Sequence, residues 1–165
     1  MGTTINAVAL SALLVTLSPA ALAQWQYHVS KDEMRGTSSH RAVLLSETEH
    51  RFRSPYDGGS RMFLQVQASR PDVPPDVVIG VTKGQFVCSA SGCRWMMKLG
   101  ERLETISLYQ TASYASNMLF VGSQDRGKVM LAIRAGETII VEAVFYQDGA
   151  RQFKFAPAGL TWPPK

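Results

Sequence analysis

The chain has 165 residues, with 17 Lys or Arg against 13 Asp or Glu, a formal net charge of +4, and 45% hydrophobic residues. That length suits one domain with its own core. The basic surplus is spread along the chain (seven basic and five acidic groups over 24–70, ten and eight over 71–165), which disfavours a nucleic-acid binder with its concentrated basic face.

From Ala7 to Leu17 the chain is mostly apolar, and Ser18-Pro19 and Ala21-Leu22-Ala23 follow. An apolar stretch of about a dozen residues before a small-x-small site has the form of a secretory signal peptide. It is shorter than the roughly 20 apolar residues a bilayer requires. Cleavage is expected after Ala23, so residues 1–23 are read as signal peptide and 24–165 as a single β-rich domain. The domain is expected in the periplasm or outside the cell, with no stable membrane insertion after cleavage. Residues 1–23 contain no Lys or Arg, so an uncleaved anchor is the alternative.

Beyond that point the hydrophobic pattern is mainly period two, the spacing of half-buried strands. Trp25–Val29 and His40–Ser46 are the first strand candidates. Next, Met62, Leu64, Val66 and Ala68 alternate with Arg61, Phe63, Gln65 and Gln67. Val77, Ile79 and Val81 form one face of a further strand. Cys93, Trp95, Met97 and Leu99 share a face opposite Arg94, Met96 and Lys98, as in a half-buried antiparallel strand. Leu103–Tyr109 and Asn117–Val121 follow.

One segment departs from the alternation. Asp125–Ala135 is predicted to be a short helix, with Ser123 as N-cap and Gly136 as its stop. After it, Ile139, Val141, Ala143 and Phe145 oppose Ile140, Val144 and Tyr146, so both faces are apolar and the strand is expected inside the sheet. Glu142 interrupts it, and Arg134 or Arg94 is its expected partner. Gln147-Asp148-Gly149 marks a hairpin turn to a last strand at Arg151–Phe155. The expected fold is therefore mainly β: an antiparallel β-sandwich of seven to nine strands with one short helix near 125–135.

The two cysteines, Cys88 and Cys93, enclose Ser-Ala-Ser-Gly. In an oxidising compartment such a pair is most simply a disulfide closing a hairpin. Its short loop should contribute about 2 kcal/mol. A Cys-x-x-Cys redox site needs a shorter spacing. A metal site needs further ligands, and the nearest histidine, His50, is 38 residues away.

The search for chemistry yields no catalytic residue, no metal ligand set and no cofactor site. His28, His40 and His50 have no helical metal spacing, and no Gly-x-Ser-x-Gly elbow marks a nucleophile. Gly58-Gly59 and Gly84 fit no Walker or dinucleotide pattern. The segment Glu47–Arg61 is the candidate interaction surface, through Arg51, Phe52, Arg53, Tyr56 and Arg61. Arginines and aromatics on a loop are the residue types that dominate binding hot spots. In the alternative reading, Phe52 and Tyr56 plug the sheet edge while the arginines face water.

Several C-terminal features occur in a set order: Cys88 and Cys93, Leu119-Phe120, the helix Val129–Ala135, the strand Ile139–Tyr146, Phe153-Lys154-Phe155, and Ala158-Gly159-Leu160. That order resembles small exported proteobacterial proteins, among them the VasI-like accessory proteins associated with type VI secretion. The resemblance covers about half of the mature chain and implies an envelope accessory role without a catalytic residue. The basic loop and the Cys-x4-Cys spacing depart from it. The expected function is that of a non-enzymatic periplasmic accessory or binding protein, with an envelope protein as partner and no nucleic acid. An inhibitor or immunity-type protein that occludes another protein's site is the alternative, and a hydrolase with an unrecognised site a third.

Overall fold

A computed structural model describes residues 25–70, 72–89, 91–111 and 117–164. The proposed signal segment 1–23 and its cleavage point lie outside the described residues. Nine strands and one helix follow in the order β1 (Gln26–Asp32), β2 (Thr37–Phe52), β3 (Gly58–Ala68), β4 (Asp76–Val81), β5 (Cys93–Leu99), β6 (Arg102–Tyr109), β7 (Met118–Val121), α1 (Ser123–Ala135), β8 (Ile139–Phe145) and β9 (Gly149–Phe155). All strand pairs are antiparallel, and they form one sheet in the order β1-β2-β3-β4-β7-β6-β5-β8-β9. The mainly β architecture with a single helix near 125–135 is thus as the alternation indicates. The two faces of the expected sandwich belong to one sheet that curls over a single core.

The period-two pattern dictates that core. Leu44, Met62, Leu64, Val66, Ile79, Met97, Ile106, Val141 and Phe153 are among the buried residues of one continuous cluster. Each strand turns every second side chain inward, so the curled sheet withdraws one whole face from water.

The curl depends on β2, which is 16 residues long and changes neighbours along one edge. Thr37–Val43 pairs with β1. Between Leu45 and Glu49 the register with β3 shifts, so that four steps on β2 match two on β3. Such a bulge bends a strand and costs ladder hydrogen bonds. Ser46, buried at the bend, replaces them: its Oγ donates to the Thr48 carbonyl at 2.6 Å and accepts the Met62 N–H at 3.1 Å.

Past the bend, β2 lies beside β9. No backbone ladder joins them among the described residues, so the sheet is not closed into a barrel. Side chains bridge the seam instead. Thr48 Oγ1 accepts the Lys154 N–H at 3.1 Å, and His50 Nε2 donates to the Gln152 carbonyl at 2.9 Å. The His50 ring meets Phe153 edge-on at 4.9 Å.

A second seam opens between β5 and β8, which pair only through Met97–Leu99. Residues 85–87 fill the gap as a wedge. The Val87 N–H donates to the Val144 carbonyl at 2.9 Å, and the Tyr146 N–H to the Gln85 carbonyl at 3.0 Å. Phe86 then contacts Trp95 and Phe145, with ring centroids 4.8 and 5.1 Å apart. The disulfide Cys88–Cys93, with Cα atoms 5.2 Å apart, ties the wedge to the first residue of β5. A tight turn between the cysteines, bridged at Ser89 and Gly92, is present as expected. The segment entering that turn pairs with β8, because β5 splays away from β8 there.

Helix α1 lays Val129, Met130, Ala132 and Ile133 into the core and touches β4 and β6. Its N-cap is Gly122, which makes no side-chain cap bond, so the expectation for Ser123 is corrected: Ser123 is already helical. Asp125 anchors the first turn, accepting the Ser107 N–H of β6 at 2.9 Å. At the other end Gly136 adopts φ 68°, the left-handed conformation a side chain would strain. The Glu137 N–H reaches the Ala132 carbonyl and the Gly136 N–H that of Ile133, which satisfies carbonyls the helix leaves open.

Among the described residues Glu142 has no arginine partner. It points out of the sheet, half exposed, and accepts a hydrogen bond from Gln152 Nε2 of β9 at 2.8 Å. Water and a cross-strand amide solvate it, so no buried countercharge is required.

Candidate functional site

The five residues singled out around 47–61 separate into two groups. Arg51 and Phe52 end β2 and Arg61 lies in β3, so only residues 53–57 form a connection. Phe52 is 5% exposed and packs against Phe145 at 4.8 Å, and Tyr56 lies partly buried against the core. Space for the Phe52 ring comes from Gly84, where a Cβ would approach the ring to 2.7 Å. Arg61 pairs with Glu49 at 3.2 Å. Arg51 and Arg53 are exposed and have no charged partner among the described residues. The backbone N–H of Arg53 is held by the buried Asp148 carboxylate of the β8–β9 turn, at 3.3 and 3.4 Å. The aromatics therefore hold the connection in place, and the two free guanidiniums are displayed on it.

The histidines do not converge. His50 belongs to the β2–β9 seam. His40 is half-buried opposite Val29 and Ala68, with its Nδ1 enclosed and unbonded. His28 is exposed and stands across from Arg41. Among the described residues no histidine bonds to a serine, cysteine or carboxylate side chain. No group of three or more potential metal ligands occurs among them either. No helix of the described residues is long and apolar enough to cross a membrane.

A concave feature lies elsewhere, on the outer face of β1, β2 and β3. It is an open cleft of about 640 Å³. His28 and Ser30 of β1, Ser39 and Arg41 of β2, and Gln67 of β3 form its floor, and Val73, Pro74 and Asp76 form a wall. Two ladders, β1–β2 and β2–β3, fix the spacing of the floor residues, with Arg41 central between His28 and Gln67. The wall is pinned where Asp76 pairs with Arg126 of α1. Asp76 is thus neutralised by the helix, whereas Arg41 carries no countercharge among the described residues. Nearby, the Arg35 guanidinium and backbone hold the Asp32 carboxyl below its ordinary pKa, with the two side chains 2.8 Å apart. Arg41 therefore brings a positive charge to the cleft floor that no described carboxylate pairs with. An imidazole, a guanidinium, an amide and two hydroxyls there can donate hydrogen bonds to an anionic or carbonyl-rich ligand.

Sequence reasoning missed this cleft. Its signal was the polar half of two alternations, His28 and Ser30 in one strand and Ser39 and Arg41 in the next. Those residues become neighbours only once the β1–β2 register is known. Compared with protein-family models, with curated proteins and with solved structures, the chain matches none.

Proposed function

We propose that the protein is an exported, non-catalytic accessory or binding module of the bacterial envelope, which engages a protein partner through its sheet surface. The observation that carries this reading is the open cleft, where hydrogen-bond donors and an unpaired Arg41 stand on rigid paired strands. A rigid display of arginine, imidazole and amide groups holds a partner without reacting with it. The disulfide Cys88–Cys93 suits an oxidising compartment, as the apolar stretch Ala7–Leu17 suits export. The order of the C-terminal features, which resembles that of VasI-like accessory proteins, adds support for an envelope role.

The test is cross-linking in living cells, with capture of the tagged protein under denaturing conditions and mass spectrometry. One reproducible envelope partner is the expected outcome. A partner whose active site the protein covers would replace the accessory role with that of an inhibitor. Recovery of the protein alone would overturn the reading.

A further inference from the structure

A sheet of this order has two edges, and the fold treats them differently. Thr48 and His50 bond to the backbone of β9, and Glu47 pairs with Lys154 beside them at 3.3 Å. The opposite edge, β1, meets residues 159–161 through the Tyr27 hydroxyl, but among the described residues its backbone has no hydrogen-bond partner on the side away from β2. Its seven residues pair with β2 from Gln26↔Val43 to Asp32↔Thr37 without a register shift. Six of the seven are exposed and the last is half-buried. Every second residue of a strand paired on one side turns its N–H and C=O outward, a template for another strand. Natural edges are usually blunted by proline, bulges or charge. β1 has neither proline nor bulge, and its only basic side chain is Lys31.

Charge selects the occupant. Lys31 and Arg41 have no anionic partner among the described residues, and Asp32, the only acid of β1, is bound to Arg35. A strand added to β1 would place one set of its side chains on the outer face, one strand spacing from His28 and two from Arg41, which faces His28 across the β1–β2 ladder. Two spacings are about 9.6 Å, which an extended Glu and an extended Arg side chain span together.

We propose that β1 is a docking edge that accepts an extended acidic segment of a partner protein as an added strand, with an Asp or Glu seated against Arg41 and His28. This rests on the binding-module reading and specifies its surface. Main-chain hydrogen bonds give the affinity, and the cleft selects the acid, as in other strand-addition complexes. The β1 edge and the cleft floor then act as one site.

The experiment pans a library of random heptapeptides against the purified full chain and measures hydrogen exchange of the β1 amides with the enriched peptides. Enriched peptides are expected to contain Asp or Glu, to slow exchange at alternate residues of 26–32, and to lose about tenfold or more in affinity against Arg41→Glu. Replacements Val29→Pro and Ser30→Pro locate the outward N–H groups. The one that keeps the wild-type melting temperature is expected to abolish binding, because it removes a free donor and no ladder bond. No enrichment, enrichment of peptides without an acid, or protection elsewhere than β1 overturns the proposal. A dimer that the tolerated proline variant dissolves also overturns it, in favour of a second copy of the chain. The envelope cross-linking is independent: a partner captured there without protection of β1 by peptides would sink the edge proposal and leave the binding-module reading standing.

Discussion

Replacing Asp125 by Ala separates the helix from the strand it is bonded to. The carboxylate is 6% exposed and accepts the Ser107 N–H at 2.9 Å, with Lys128 Nζ at 3.5 Å. Losing the acceptor leaves a half-buried N–H in β6 unpaired, which costs about 1–3 kcal/mol. Removing a negative charge from the first turn of α1 adds roughly 0.3–1 kcal/mol. Lys128 is half exposed and adds little, since such pairs contribute at most about 1 kcal/mol. The expected loss is about 2–3 kcal/mol at pH 7, read as a lower urea midpoint. Asp125→Asn, which retains an acceptor, should lose about 1 kcal/mol.

The same residue predicts a pH dependence. The Ser107 N–H, first among the causes, holds the Asp125 carboxyl below its ordinary value; the bond outweighs the opposing effect of burial just beneath the surface, and Lys128 assists. A depressed folded-state pKa means that the stabilisation is complete above the unfolded value, about 3.9. It is lost as pH falls through the folded value. The wild-type advantage over Asp125→Ala should therefore shrink below about pH 4. Equal midpoints at pH 7, or a difference that grows on acidification, would refute the anchoring role.

Three further outcomes are expected. Phe145→Ala removes a ring that meets Phe52, Phe86 and Phe153, at a cost of about 3–5 kcal/mol; if that variant does not fold, Phe145→Leu should show a smaller drop in the same urea titration. Cys88→Ser with Cys93→Ser should lose about 2 kcal/mol, and the wild-type mass should rise on alkylation only after reduction. Arg51→Ala with Arg53→Ala should change stability by no more than about 0.5 kcal/mol, because both guanidiniums are exposed; unfolding by heat at a clearly lower temperature would show that they are structural.

The strands were legible because alternation is a local signal. Met62 to Ala68, Val77 to Val81 and Cys93 to Leu99 can be placed from their own side chains, without knowledge of neighbours. What escaped was set between strands. The splaying of β5 from β8, and so the wedge at 85–87, depends on which strands pair. The same holds for Glu142, whose amide partner Gln152 is adjacent only through the β8–β9 register. The helix start was displaced because Ser123 has a favourable capping side chain, yet the Asp125 bond to β6 anchors that turn. The basic segment was legible in composition but not in orientation. Alternation through the end of β2 turns Phe52 inward and Arg51 and Arg53 outward, which the reading of a long loop could not resolve. The cleft was the least visible, since its floor residues are ordinary polar positions until three strands are laid side by side.

The indole of Trp25 donates to the carbonyl of Pro157 at 2.9 Å, and the Tyr27 hydroxyl accepts the Thr161 N–H at 2.9 Å. The first strand and the final segment are thus neighbours. A chain made from its N-terminus onward holds Trp25 ready long before its partner exists. Closing so large a loop adds little to equilibrium cost, which grows only with the logarithm of its length, but it delays the last contacts. Until residues 157–161 are made, the Trp25 indole and the Tyr27 hydroxyl lack these partners. The fold therefore contains its own delay: the first strand of the sheet gains its last contacts only after residues 157–161 have been made.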